Sequence, residues 1–299
     1  MDVLGRLTYD TTIPSWPEHS KRQLAPMFSK TFFAISAAVA LAVPAVGQDT
    51  APRLTYADLV QLSDGTPLVI RAEIRKQAQV SPERAPGLAP GFARLYVEAR
   101  TGSLIAGTVP VGEELKYLVD VPLDAKGKVP KLKKQEVILF ARPVAGRPGE
   151  IQLVGTEAQL RYTPELETRL RPILADLVSP QAPPRVTGVS DALAVEGTLV
   201  GESETQLFLD TEKDGPVSVT VVRRPGQAPR WGVSWTEIVD QAARPPQAGT
   251  LEWYRLACAL PRELPGTANL AQDRRARDLA ARDYAFVIDQ LGPCERTTD

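Results

Sequence analysis

Two glutamates near the middle of the chain have the spacing that best fits acid and base chemistry. Glu202 and Glu204 flank Ser203, and on a strand their carboxylates would share one face, roughly 7 Å apart. A pair at such a distance fits glycoside cleavage, in which one group acts as acid and the other as base. A solvated strand edge also carries same-face glutamates, and we favour this simpler interpretation. Glu202 and Glu204 remain the only catalytic candidates, for a hydrolase of envelope polysaccharide.

The scarcity of histidine excludes several kinds of catalytic site. The only histidine is His19, so residues 48–299 contain no imidazole. Ser-His-Asp catalysis, Cys-His catalysis and ordinary catalytic zinc sites each need an imidazole as base or ligand. Residues 210–215 resemble the first half of a calcium loop, but Val221 stands where the bidentate carboxylate is required. We therefore expect no metal, no cofactor and a role in binding rather than catalysis.

Residues 27–47 have the composition of a secretory signal peptide. Lys30 precedes the apolar run 31–46, which is short for a membrane span and ends in Ala45-Val46-Gly47. Residues 1–26 are polar and proline-interrupted, which fits a non-native or disordered extension with Met27 as the true start. We expect a mature protein from residue 48 that is periplasmic or secreted and not an integral membrane protein after cleavage. The alternative is an uncleaved anchor.

Cys258 and Cys294 are the only two cysteines. In an oxidising exported compartment an isolated pair favours a disulfide bond, with two free thiols as the alternative. Neither cysteine has a C-x-x-C partner or a histidine available after residue 47, so catalytic thiols are not expected.

The charge of the expected mature chain is nearly balanced. Residues 48–299 contain 31 basic and 33 acidic residues. This balance gives no reason to expect a nucleic acid partner. Five lysines between Lys126 and Lys134 are best explained as a solubilising turn. We expect an envelope component or a protein as partner.

The first half of the expected mature chain is rich in strands. Thr55 is positioned to cap a helix through Leu62, and Thr163 to cap a second helix that Pro172 should kink or end early. Between them, alternating or continuous apolar patterns predict five strands, at 68–74, 93–99, 115–121, 136–143 and 151–154. Five short strands joined by turns indicate a small antiparallel barrel, closed or half-closed, of the oligonucleotide- and oligosaccharide-binding (OB) type. A sandwich is the alternative.

The proline-rich segment 179–185 predicts a linker between two domains, 48–178 and 186–299. In the second, alternation predicts strands at 205–209, 217–221 and 231–235, followed by helices at 251–260 and 279–291. The predicted fold class is α+β and β-rich, with a barrel or sandwich followed by an α+β domain.

Five segments also carry a resemblance that extends over most of the expected mature chain. They are residues 117–124, 131–142, 201–205, 230–240 and 251–261. These segments are similar to a group of exported bacterial proteins with no assigned function. The resemblance implies export and a shared fold, and it implies no activity, cofactor or site.

Overall fold

A computed structural model describes residues 54–213, 215–236, 243–271 and 273–297. The expected extension at 1–26 and the expected signal peptide at 27–47 lie outside the described residues, as does Asp214 of the calcium-like turn. Thr50–Asp299 forms one compact unit. None of the helices in the described ranges has both the length and the apolar content that a membrane crossing requires.

The first described helix, α1 (Tyr56–Ser63), begins at the predicted cap. The Thr55 hydroxyl accepts a hydrogen bond from the amide of Asp58, and the Asp58 carboxylate accepts one from the amide of Thr55 at 2.7 Å. This reciprocal arrangement satisfies two amide donors that a helix N-terminus otherwise leaves unpaired.

Six antiparallel strands form the first sheet, in the order β3-β2-β1-β4-β5, with β6 pairing to β4. The strands are β1 (Leu68–Gln79), β2 (Phe92–Gly107), β3 (Glu114–Pro122), β4 (Glu136–Pro143), β5 (Ile151–Leu153) and β6 (Gln159–Arg161). The five predicted strands are confirmed, and β1 and β2 are longer than their alternation indicated. Between β3 and β5 the described residues form only an isolated parallel bridge, Lys116 to Glu150, so no continuous ladder closes the sheet.

Both faces of this sheet are covered along β4, which explains its nearly continuous apolar sequence. One face packs Leu139 against the inward residues of β1 to β3, such as Ile70 and Leu95. The other face packs Phe140 against Leu170 of the next helix, α2 (Pro164–Val178).

The α2 helix begins at the predicted cap, Thr163, but Pro172 does not end it. The helix continues to Val178, so of the two expected effects, a kink or an early end, the early end does not occur. Proline removes the amide that would bond to the carbonyl four residues earlier. Thr168 and Pro172 are both exposed, so water can solvate that carbonyl.

A second antiparallel sheet follows, in the order β10-β9-β8-β7. Its strands are β7 (Val186–Glu196), β8 (Ser203–Thr211), β9 (Val217–Arg223) and β10 (Arg230–Ser234), and two further helices are α3 (Leu251–Ala257) and α4 (Arg274–Leu291). The three predicted strands and two predicted helices are confirmed, whereas β7 was not predicted. Two antiparallel sheets with a few helices make the chain β-rich α+β, as predicted.

The C-terminal segment returns to the first helix. Cys258 and Cys294 form the predicted disulfide bond. Beyond it, the amide of Thr297 donates to the Asp58 carboxylate at 2.9 Å, and the Thr297 hydroxyl donates to it at 2.6 Å. The chain after α4 is therefore held by one covalent bond and by a buried carboxylate of α1.

Candidate functional site

The two candidate glutamates lie at the turn between β7 and β8. Because β8 begins at Ser203, Glu202 belongs to this turn, where its carboxylate accepts from the amide of Leu199 at 3.4 Å. Glu204 is exposed on β8 and accepts from the Gln206 side chain at 2.9 Å. The two carboxylates are thus turned toward different local partners, and neither lines the cleft described next.

A cleft lined by described residues lies along the seam between β3 and β5, with a volume of about 1250 Å³. We call it the seam cleft. At one point the two strands meet, where the amide of Lys116 donates to the carbonyl of Gly149 at 2.8 Å. The walls also include residues 78–81 and 84, at the end of β1 and after it, and residues 142, 144, 147 and 150–156, from the end of β4 onward.

An ion pair fixes one wall of the seam cleft. Arg94 of β2 donates two hydrogen bonds to the carboxylate of Asp120 on β3, each 2.7 Å long. These residues are directly opposite each other in the strand register. A bidentate arginine–carboxylate pair restricts both side chains, so this wall is preorganised.

A neutral tyrosine supports the floor. Burial raises the pKa of the Tyr117 phenol well above its usual value, so the hydroxyl keeps its proton. It donates to the side-chain carbonyl of Gln159 at 2.7 Å, and the residue is 3% exposed. Tyr117 is therefore a packing residue rather than an acid or base.

Positive charge predominates in the lining of the seam cleft. Five cationic side chains face two carboxylates: Arg84, Arg94, Lys116, Arg142 and Arg147 against Asp120 and Glu150. Arg147 pairs with Glu150 at 3.2 Å. The amide oxygen of Gln152, which is neutral, accepts from Arg142 at 3.2 Å.

Three of these cations are not neutralised by an ion pair within the described part of the chain. Arg84, Lys116 and Arg142 each lack a carboxylate oxygen within 4.0 Å there. Glu98 stands opposite Lys116 in the register, but its carboxylate bonds to Lys76 at 2.8 Å. Positive charge in the cleft is therefore available to a ligand.

Apolar side chains lie exposed among these charges. Tyr96 is 39% exposed, Leu118 51% and Val154 40%. A concave site that combines exposed apolar surface with a few charged groups is typical of a binding site. No pattern in the sequence predicts this cleft. The one signal is Leu118, an apolar residue on the outward, polar side of β3.

A second cleft contains charged residues whose ion pairs stabilise the fold: Asp64, Arg185 and Arg255. Burial alone would raise the pKa of Asp64, but hydrogen bonds from Arg255 and Arg185 lower it below its usual value. The two ion pairs measure 2.6 and 2.7 Å and connect α1 with α3 and with the residue before β7. These charges are paired with one another and stabilise the fold, so we assign them no role in ligand binding.

In the described ranges, no three His, Cys, Asp or Glu side chains gather closely enough to hold a metal ion. No protein-family model matches the chain, and no curated protein matches it well enough to be identified as a relative. The seam cleft is the feature of the described structure that best fits a ligand site.

Proposed function

We propose that this is an exported, non-enzymatic binding protein that holds an elongated anionic ligand in the seam cleft. The observation that carries this proposal is the combination of Arg84, Lys116 and Arg142, without carboxylate partners, and the exposed side chains of Tyr96 and Leu118 in the same cleft. Cations attract the ligand and the apolar groups contact its body, so binding uses both interactions.

The arrangement of strands supports this location. We propose that the first sheet is a half-closed barrel of the OB type, since the Lys116–Glu150 bridge would give the cyclic order β1-β2-β3-β5-β4. Proteins of that topology bind ligands on the face of strands 2 and 3, between the 1–2 and 4–5 loops. Here Tyr96 and Leu118 lie on β2 and β3, while Arg84 and Arg147 lie in the two corresponding connections.

Features elsewhere in the chain support the proposals of export and of the ligand class. The Cys258–Cys294 bond suits an oxidising compartment, in agreement with the expected signal peptide. The whole chain has a formal net charge of −1, which does not favour a nucleic acid as the ligand. Glu202 and Glu204, outside the cleft, give the alternative of a polysaccharide hydrolase no support.

Calorimetric titration of the protein with oligogalacturonate and with hexaglutamate tests the proposal. We expect at least one of these anionic probes to bind at 20 mM salt and to bind more weakly at 200 mM, because salt screens surface charges. Lys116→Glu and Arg142→Glu should each weaken that binding about tenfold, since a unit charge near the surface contributes about 1 kcal/mol or more.

Lys126→Glu is the matched control, because it makes the same charge change at a turn outside the cleft, where the Lys126 amide bonds to Asp124. Its effect should be less than twofold. Failure of both probes at 20 mM salt, or equal weakening by the control, would overturn the proposal.

A further inference from the structure

We infer that the ligand of the seam cleft is an extended polypeptide segment with alternating acidic and apolar residues, which binds by adding a strand to the edge of β3. This inference rests on the proposed function and identifies the ligand class of the same cleft.

The edge of β3 offers backbone groups to such a segment. In a strand, successive residues direct their amide and carbonyl to opposite sides. Since the amide of Lys116 points across the seam to Gly149, the backbone groups of Leu118 and Asp120 point the same way. Beyond the Lys116–Glu150 bridge the described strands form no further ladder pairs across the seam. An incoming strand therefore finds two residues of open edge.

The direction of the incoming strand follows from the bridge. β3 and β5 are parallel where they meet, so a segment antiparallel to β3 would also be antiparallel to β5. Antiparallel pairing is slightly the more stable arrangement per residue. A residue in a packed sheet occupies roughly 160 Å³, from its rise and from the spacings between strands and sheets. A cleft of about 1250 Å³ is therefore large enough for a segment of several residues.

The two faces of the seam set the side-chain pattern of the segment. On the outward face lie Lys116 and Arg142, which favour acidic residues. On the inward face lie Val119, which is 4% exposed, and Leu153, which packs against the core, so these favour apolar residues. Because side chains alternate along a strand, a segment of alternating acidic and apolar residues matches both faces.

This geometry specifies which amides of the ligand matter. In an antiparallel pair, opposed side chains lie on the same face, so outward acidic residues stand opposite outward Leu118 and Asp120, whose carboxylate is already neutralised by Arg94 at 2.7 Å. Their amides would then donate to β3, while those of the apolar residues would face β5. Methylation of one set of amides or the other distinguishes strand addition from simple charge attraction.

The experiment uses the peptide Ac-(Glu-Val)3-NH2 as the probe and the full chain as receptor. We expect binding that weakens at least thirtyfold when the glutamate amides are N-methylated. The matched control is the peptide whose valine amides are methylated instead, and its binding should weaken less. Amide hydrogen exchange at Leu118 and Asp120 should slow at least tenfold with the peptide bound. The variant Lys116→Glu/Arg142→Glu should instead prefer Ac-(Lys-Val)3-NH2, by at least tenfold.

The outcomes separate this inference from the proposed function. Binding of oligogalacturonate in the cleft, with no binding of the Glu-Val peptide, would overturn strand addition and leave the proposed function standing. Peptide binding that is insensitive to glutamate N-methylation, with unchanged exchange at Leu118 and Asp120, would also overturn strand addition. Absence of binding by the peptide, oligogalacturonate and hexaglutamate would overturn both.

Discussion

Loss of the Cys258–Cys294 bond should reduce stability by an amount that follows from the length of the loop it closes. The two cysteines are 36 residues apart in the sequence. On the chain-entropy model, opening a loop of this size returns about 13 cal/mol/K to the unfolded chain, or about 4 kcal/mol at 25 °C. We therefore expect Cys258→Ser/Cys294→Ser to lower the free energy of unfolding by about 4 kcal/mol.

The native state should survive this change, because other contacts hold the same region. The indole of Trp253 in α3 donates to the carbonyl of Leu291 at the end of α4, at 2.8 Å. Thr297 bonds to Asp58 beyond the disulfide. The disulfide bond is therefore expected to act mainly on the unfolded state, because the unfolded chain can expand further without it.

Urea unfolding, followed by tryptophan fluorescence and far-UV circular dichroism, measures this effect. The double serine variant should show a lower midpoint and a steeper dependence on urea, since its unfolded chain exposes more surface. Reduced wild-type protein is the control and should match the variant. A loss below 1 kcal/mol, or a variant that is less stable but has an unchanged urea slope, would refute the entropic explanation.

Three further predictions concern buried contacts. Burial alone would raise the pKa of Asp58, but its hydrogen bonds lower the pKa below the usual aspartate range. The contribution of Asp58 to folding stability is therefore complete above that range and is lost as the pH falls. Between pH 7 and pH 3, the urea midpoint should fall less in Asp58→Asn than in wild type. Asp64→Asn leaves the guanidinium of Arg255, whose side chain is 8% exposed, without its carboxylate, and should cost about 3 kcal/mol in urea unfolding. Gly232→Ala would drive a methyl group into the carbonyl of Ala243, and a thermal melt should show a loss of about 3 kcal/mol.

Matched substitutions at exposed or open sites provide the controls. Glu212→Gln removes an exposed ion pair to Arg185 at 3.3 Å and should cost less than about 1 kcal/mol. Gly155→Ala places its methyl group where no atom lies within 4 Å, so it should change stability by about 0.5 kcal/mol or less. Equal losses in Asp64→Asn and Glu212→Gln, or in the two alanine variants, would contradict the assigned contacts. A wild-type urea midpoint that falls no more than that of Asp58→Asn would contradict the pH argument.

Regular alternation made some strands predictable, and its interruption hid others. The strand β3 alternates without a break, and its register with β2 is continuous. In β7 the pairing with β8 shifts twice, between Val186 and Gly188 and between Val189 and Asp191. Each shift moves the buried side chains out of phase, so no two-residue period is visible in the sequence.

Polar residues made the start of α4 and the strand β6 difficult to predict from the sequence. The helix α4 begins at Arg274, behind an Asp273 side chain that accepts from the amide of Ala276 at 2.8 Å, whereas the apolar pattern begins only at Leu279. The strand β6 has three residues and one apolar side chain, so its pairing with β4 gives it a structure that its own sequence does not specify. In both places, contacts outside the local pattern determine the structure.

The seam cleft was the least predictable feature, because it depends on two strands that do not follow each other in the sequence. Alternation correctly assigns Tyr117 and Val119 to the buried face of β3, but it says nothing of what lies beside the strand. Leu118 is the residue that indicates a site. Half of its surface is exposed, and a polar residue at this position would not reduce the stability of the fold. Single exposed leucines are common, and this one gains meaning only beside Lys116 and the open edge of β3. If a ligand strand covers that edge, Leu118→Ser should weaken binding without lowering the urea midpoint, whereas a purely structural leucine would lower the midpoint.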